Sequence, residues 1–229
     1  YHQPTDTPDK INYLLLKRTA SSICHPLSYL FHFFLVSSST PEIWRTALVK
    51  PVFKRKGLAS SVDNYRGISL TCCISKLMER IVAYYIYDRI SSRNLLSPFQ
   101  FGFRPHRSCA DALLLSHSDW HAALDSYKYV SAIFLDFSKA FDLVPINLLL
   151  HKLELFGISG CLLRWISSFL SSRTQSVMVD NVVSSSYACT SGVPQGSCLG
   201  PLLFILYIND IVDCILPSVK YSIYADDLK

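Results

Sequence analysis

Residues 133–142 read Ile133-Phe134-Leu135-Asp136-Phe137-Ser138-Lys139-Ala140-Phe141-Asp142, and residues 224–227 read Tyr224-Ala225-Asp226-Asp227. Each carboxylate cluster ends an apolar run, which is how a buried strand reads when its C-terminal end carries a site. Neighbouring side chains on a strand point to opposite faces, so Asp226 and Asp227 act together only at a bend such as a hairpin tip. Asp136 comes much earlier, on a run that could pair beside that hairpin and bring three carboxylates together. Hard oxygen ligands of this kind select Mg²⁺ or Mn²⁺ over Zn²⁺. Two such ions side by side are what metal-assisted phosphoryl transfer requires. An Asp-Asp pair alone is more often a solvated turn, so the surrounding pattern has to carry the reading.

Outward from these motifs the chain mixes helices and strands. Residues 11–36 read as two helical segments broken at Pro26, followed by a polar hinge at 37–41. Residues 47–53 read as a strand, and 54–63 as a basic loop. Leu77, Met78, Ile81, Val82, Tyr85, Ile86 and Ile90 recur in steps of three, one and four, the signature of an amphipathic helix. Helical periodicity also marks 111–125 and 161–170, while Pro145 and Gly157 bound a helix at 146–156. A buried strand is expected at 130–136, two strands at 175–180 and 184–190 around Asp180-Asn181, a helix at 199–215 and a last strand at 220–225. Helices and strands so interleaved define one mixed α/β (α+β) unit.

With 229 residues and 50% hydrophobic content, the chain can bury a core in one large domain or two small ones. Its formal charge of +5 suits a polyanionic partner. The excess is concentrated in Arg45, Lys50, Lys54, Arg55, Lys56 and Arg66, set against Asp63 alone. That stretch reads either as a phosphate-binding surface or as a solvated loop. The eight cysteines form no CxxC pair and no zinc spacing, so they read as thiols of a reducing compartment. With no glycosylation sequon, they favour an intracellular protein, nuclear or cytoplasmic. His117 and His121 read as one surface face of a helix. No apolar run approaches the roughly 20 residues needed to cross a bilayer, so no membrane span is expected. Tyr1 is not an initiator Met, and the chain stops two residues after Asp227, so both ends read as cut edges of a longer protein.

Residues Asp136 to Asp142, Ser191-Gly192-Val193-Pro194-Gln195-Gly196-Ser197 with Leu199 to Phe204, and Tyr224 to Asp227 carry a recognisable order. Together with Asn64 to Leu70 and Gln100-Phe101-Gly102-Phe103-Arg104, they resemble the signature blocks of the reverse transcriptase domain of non-LTR (LINE-type) retrotransposons. The resemblance implies a right-hand polymerase with a helical extension at 1–36, fingers at about 37–128 and palm at about 129–229, ending after the catalytic hairpin without a thumb. It implies an RNA template, a DNA primer, deoxynucleoside triphosphates and two Mg²⁺ or Mn²⁺ ions. The rest of the element's polyprotein, an endonuclease and a thumb, is the implied partner.

By that resemblance Asp136, Asp226 and Asp227 are the catalytic, metal-binding acids, and the carbonyl of Phe137 is a further ligand. Phe141 falls where a bulky ring under the sugar rejects a 2′-hydroxyl, and Gln195 where the incoming nucleotide meets the template base. Arg66 and either Lys54 or Lys56 match positions that grip the triphosphate, Arg bidentately and Lys as a point charge. Phe101, Phe103 and Arg104 line the template path or simply pack. Gly67 stands where the family has proline, which should loosen a fingers turn. An RNA-dependent RNA polymerase or a nucleotidyl cyclase shares paired acids, but Phe141 and the 191–197 block argue against both. An inactive RNA-binding remnant is the other reading. With no return strand expected after Asp227, the isolated chain should lack processive synthesis.

Overall fold

A computed structural model describes residues 7–180 and 182–229. The expected N-terminal extension is therefore seen from residue 7, and Asn181 of the expected Asp180-Asn181 turn lies outside the described residues. The most apolar segment, Gly200–Ile208, forms α7, and its Leu202, Leu203, Phe204, Ile205 and Leu206 are all buried. A helix apolar on every side must be surrounded. Residues of α3 (Cys73–Ser91), α5 (Ile146–Leu155) and α6 (Gly160–Leu170) share one core with it. Pro201 sits in the first turn of α7, where its missing N–H would have no helical partner anyway.

The start of α7 is held by a buried charge from another helix. Glu79 of α3 is fully buried; one carboxylate oxygen accepts the Cys198 N–H at 2.7 Å and the Leu199 N–H at 3.4 Å, and the other accepts the Ser75 hydroxyl at 2.8 Å. A carboxylate there satisfies N–H groups and complements the helix dipole. Buried Arg173 lies within its field: desolvation pulls the guanidinium below its ordinary range, and Glu79 pulls it back.

The main sheet runs β2-β1-β3-β4, with β5 also on β3. Strand β1 (Thr46–Phe53) pairs antiparallel with β2 (Tyr65–Leu70) and parallel with β3 (Arg173–Val179) over Thr46–Val49. Strands β4 (Val182–Val183) and β5 (Tyr187–Cys189) both fold back on β3, so the single second strand expected at 184–190 is instead two short ones. Gly67 lies inside the regular β1–β2 ladder opposite Pro51, so the loosened turn expected there is absent.

A second, smaller assembly carries the acids. Strands β6 (Ile223–Tyr224) and β7 (Asp227–Leu228) form a tight hairpin, with Gln100 bridged to Ile223 on one side and Leu135 to Leu228 on the other. Helix α4 (Cys109–Asp125), started by a Ser108–Asp111 capping box, packs on it through Ser116 and Ser222, whose hydroxyls are 3.3 Å apart.

Four expectations need correction. Residues 130–136 form no regular strand: Leu135 has one ladder partner, and Ile133 is 71% exposed. An apolar run reports a need for cover, but a ladder needs neighbours along its whole length. A return strand does follow Asp227, since β7 and the Lys229–Ser222 backbone pair close the hairpin. The 199–215 helix divides into α7 and a 3₁₀ turn at Asn209–Cys214. The break near Pro26 falls instead at Thr19, between α1 (Tyr13–Arg18) and α2 (Ala20–Val36). Pro26 is tolerated inside α2 because it and Ser22, whose carbonyl loses its helical donor, face solvent.

Removing the Glu79 carboxylate should leave the Cys198 and Leu199 amides and Arg173 uncompensated. Glu79→Ala is expected to lower stability by about 3–5 kcal/mol in urea melts, and Glu79→Gln, which keeps one acceptor oxygen, by less. A loss below about 1 kcal/mol for the alanine variant would show that the buried carboxylate is not an anchor.

Candidate active site

The register of the small assembly decides where the acids stand. Leu135 and Leu228 exchange both backbone hydrogen bonds, at 2.8 and 3.0 Å. The next pair along is therefore Asp136 opposite Asp227, at the narrow, non-hydrogen-bonded spacing where side chains share one face. Asp226 occupies the two-residue turn with Ala225, whose φ is 60°. The expected hairpin tip is thus present, with Asp226 in the turn and Asp227 as the first residue after it. Asp136 and Asp227 line a cavity of roughly 270 Å³ with Cys109, Leu113, Phe134 and Tyr224.

Burial raises the Asp226 carboxyl above the usual carboxylate range, and the negative fields of Asp227 and Asp136 raise it further. A hydrogen bond to its own backbone works the other way. Among the described residues, no three acidic, His or Cys side chains stand close enough to grip one ion as placed. The backbone register thus sets Asp136 and Asp227 side by side while the carboxylates themselves point apart. Carboxylates and the Phe137 carbonyl are hard-oxygen donors, the type that Mg²⁺ and Mn²⁺ prefer.

Phe141 is held on two sides. It stacks on Phe204 of α7 with centroids 4.2 Å apart and meets the edge of Phe103 at 5.8 Å. The 191–197 loop is fastened to the same segment: Val193 N–H donates to Phe141 O, Gly192 N–H to Val144 O, and the Ser191 hydroxyl to Asp142 O. Gln195 is exposed, and its amide donates to Asp142 Oδ1 at 2.7 Å. On the other side of the loop, a Cβ on Gly196 would stand 2.4 Å from Ser69 O, so only glycine lets the loop lie against β2. Phe141, Gln195 and the strand that carries Arg66 are thereby joined.

Arg66 and Lys56 are exposed, whereas the Lys54 ammonium donates to Asp63 O at 2.7 Å and closes its own loop. Phe101 is 5% exposed, with its N–H bonded to Ile223 O and Arg107 over its ring, so it has no free face for a base. Arg104 donates to Ser97 O at 2.7 Å and Gln100 O at 3.3 Å. These two residues brace the loop beside the hairpin. Phe103, 49% exposed, is the aromatic that reaches the site, through Phe141. Phe204 and Glu79 carried no assigned role in the sequence. Their signals were a Phe inside an all-apolar helix and a Glu in the buried register of α3.

The fold is that of polymerase fingers and palm. It superposes on the telomerase of Candida albicans solved with a TWJ fragment of telomeric RNA, with a TM-score of 0.57 at 13% identity over 83% of this chain and 39% of that one. The chain belongs to the reverse transcriptase (RNA-dependent DNA polymerase) family, which it matches over residues 53–229. It is 31% identical over 191 residues to the probable RNA-directed DNA polymerase from transposon BS of Drosophila melanogaster, covering 81% of this chain and 20% of that protein. It is also 31% identical over 208 residues to the RNA-directed DNA polymerase from mobile element jockey of the same fly, covering 88% and 22%. The chain therefore spans about a fifth of the length of these relatives.

A cation that relieves the Asp226 repulsion should stabilise the folded state. Mg²⁺ at about 100 times its dissociation constant is expected to add about 2.7 kcal/mol, read as a rise in melting temperature. Asp226→Asn should melt higher than wild type without metal, because one like charge is gone, and should lose the Mg²⁺-dependent rise. An equal Mg²⁺ shift in both proteins would remove Asp226 from the site.

Proposed function

We propose that this chain carries the nucleotidyl-transfer centre of the RNA-directed DNA polymerase of a non-LTR retrotransposon, which extends a DNA primer along an RNA template with deoxynucleoside triphosphates. The observation that carries the reading is the register that sets Asp136 opposite Asp227 with Asp226 in the adjoining turn. These carboxylates, with the Phe137 carbonyl, would hold two Mg²⁺ or Mn²⁺ ions. Bound there, the ions supply a lowered pKa for the primer 3′-hydroxyl and charge neutralisation for the triphosphate and leaving pyrophosphate.

The remaining work falls to the protein's own groups. Lys56 and Arg66 offer positive charge from the exposed side of β1–β2 to the triphosphate, and Lys54 shapes the loop between them. Gln195, steadied by Asp142, contacts the incoming nucleotide and the template base. Phe141 acts as the wall beneath the sugar, and its stacking on Phe204 keeps it from yielding to a 2′-hydroxyl. In an intact element, a thumb and an endonuclease on the same polyprotein are the expected partners.

The test is primer extension on an RNA template by the element's polymerase containing this segment, with dNTPs against NTPs. Wild type should favour dNTPs, Asp226→Asn should be inactive, and Phe141→Val should raise ribonucleotide use by about 10- to 100-fold. A wild-type preference for NTPs would overturn the DNA-polymerase reading.

A further inference from the structure

We propose that Gln100 is a positioning residue that sets the turn of the acidic hairpin, and with it Asp226, through its side-chain amide. The inference rests on the reading of Asp226 as a metal-binding acid. Residues 99–101 run beside β6 as a third strand: Ile223 N–H donates to Phe99 O at 2.9 Å, and Phe101 N–H donates to Ile223 O at 2.8 Å. Two residues later the chain turns at Ala225, which is buried and has φ 60°, a left-handed conformation that side-chain-bearing residues avoid. No strand reaches that far to pair with its peptide groups.

The Gln100 side chain takes the place of the missing strand. Its Oε1 accepts the Ala225 N–H at 3.0 Å and the Gly102 N–H at 2.8 Å, and its Nε2 donates to Ala225 O at 3.3 Å. Two N–H donors require the oxygen and one carbonyl requires the NH₂ group, so the amide fits in one orientation only. Gln100 is 2% exposed, and water cannot substitute for it. Gly102 makes the approach feasible, because a Cβ there would stand 2.2 Å from Ala225 N. Ala225 immediately precedes Asp226, so a turn free to relax toward ordinary φ would swing the Asp226 carboxylate away from Asp136 and Asp227. Gln100 touches no reacting atom and acts through Ala225 alone.

The experiment compares wild type with Gln100→Met, which keeps length and shape but none of the three hydrogen bonds, and Gln100→Glu, which keeps the acceptor and loses the donor. Three quantities are read on the polymerase containing this segment: hydrogen exchange in the 221–229 peptide, Mn²⁺ affinity by titration calorimetry, and the Mg²⁺ concentration for half-maximal extension. Gln100→Met should speed exchange at the turn about tenfold. It should also weaken Mn²⁺ binding and raise the Mg²⁺ requirement by about 10- to 100-fold, with the KM for dNTP unchanged. Gln100→Glu should fall between. If the methionine variant does not fold, Gln100→Asn, too short to reach Ala225, is measured in its place with the same expectation. Unchanged exchange, or faster exchange with wild-type Mn²⁺ affinity and Mg²⁺ requirement, overturns the proposal. A wild-type protein that binds no Mn²⁺ overturns the metal reading instead, and the exchange data still decide whether Gln100 holds the turn.

Discussion

Burial of Asp226, with the like charge of Asp227 and Asp136 adding to it, opposes the acidic hairpin, and the backbone pairing that holds the hairpin against this is what the rest of the site depends on. The acids cannot hold themselves together, so neutral backbone pairing has to do it. Leu135 with Leu228, Ile223 with the 99–101 segment, and Ser222 with Lys229 form hydrogen bonds on both flanks of the hairpin. Burial of Asp226 adds to the cost without ending the arrangement. The cost is met by these neutral bonds on either side of the turn and by none from the acids themselves.

The nucleotide side of the site is built by a different device, the fastening of one loop to three elements. The 191–197 loop is bonded by its backbone to Phe141 and Val144, lies against Ser69 at Gly196, and leads into α7 through Cys198 and Leu199, whose amides end on Glu79. Phe141 in turn stacks on Phe204, four residues into the same helix. A displacement of α7 would therefore move Phe141 and the Gln195 loop together. The two halves of the site meet in the 136–142 segment, which carries an acid at one end and Phe141 and Asp142 at the other.

Much of this was legible in the residues. The periodicity of α3, the Pro and Gly limits of α5, the apolar run of α7 and the need for a bend at Asp226-Asp227 all correspond to what the chain does. The failures share a cause, which is that hydrophobic pattern reports a demand for burial and not the identity of the neighbour. The same apolar signal that placed α7 in the core placed 130–136 in a ladder, where one pair forms. Phe101 and Phe103 were indistinguishable by type, and only the contact with Ile223 separates the buried ring from the exposed one. Gln100 was hidden for the opposite reason, since polar residues are presumed to face water. Glu79 left a trace: Ser75, Met78, Glu79, Val82, Ile86 and Ile90 keep helical spacing, so a charge sits in the buried stripe.

The two buried polar anchors differ in charge, and their surroundings account for the difference. Glu79 faces the positive end of α7 and has Arg173 within its field, so its negative charge is compensated where it lies. Gln100 lies one residue from the acids at the hairpin turn, where a carboxylate would add a fourth like charge and could not donate to Ala225 O. A cation there would compete with any metal for the same carboxylates. The turn needs an acceptor and a donor on one short side chain with no net charge, and asparagine is too short to span the gap. Glutamine is the side chain that meets all of these conditions at once.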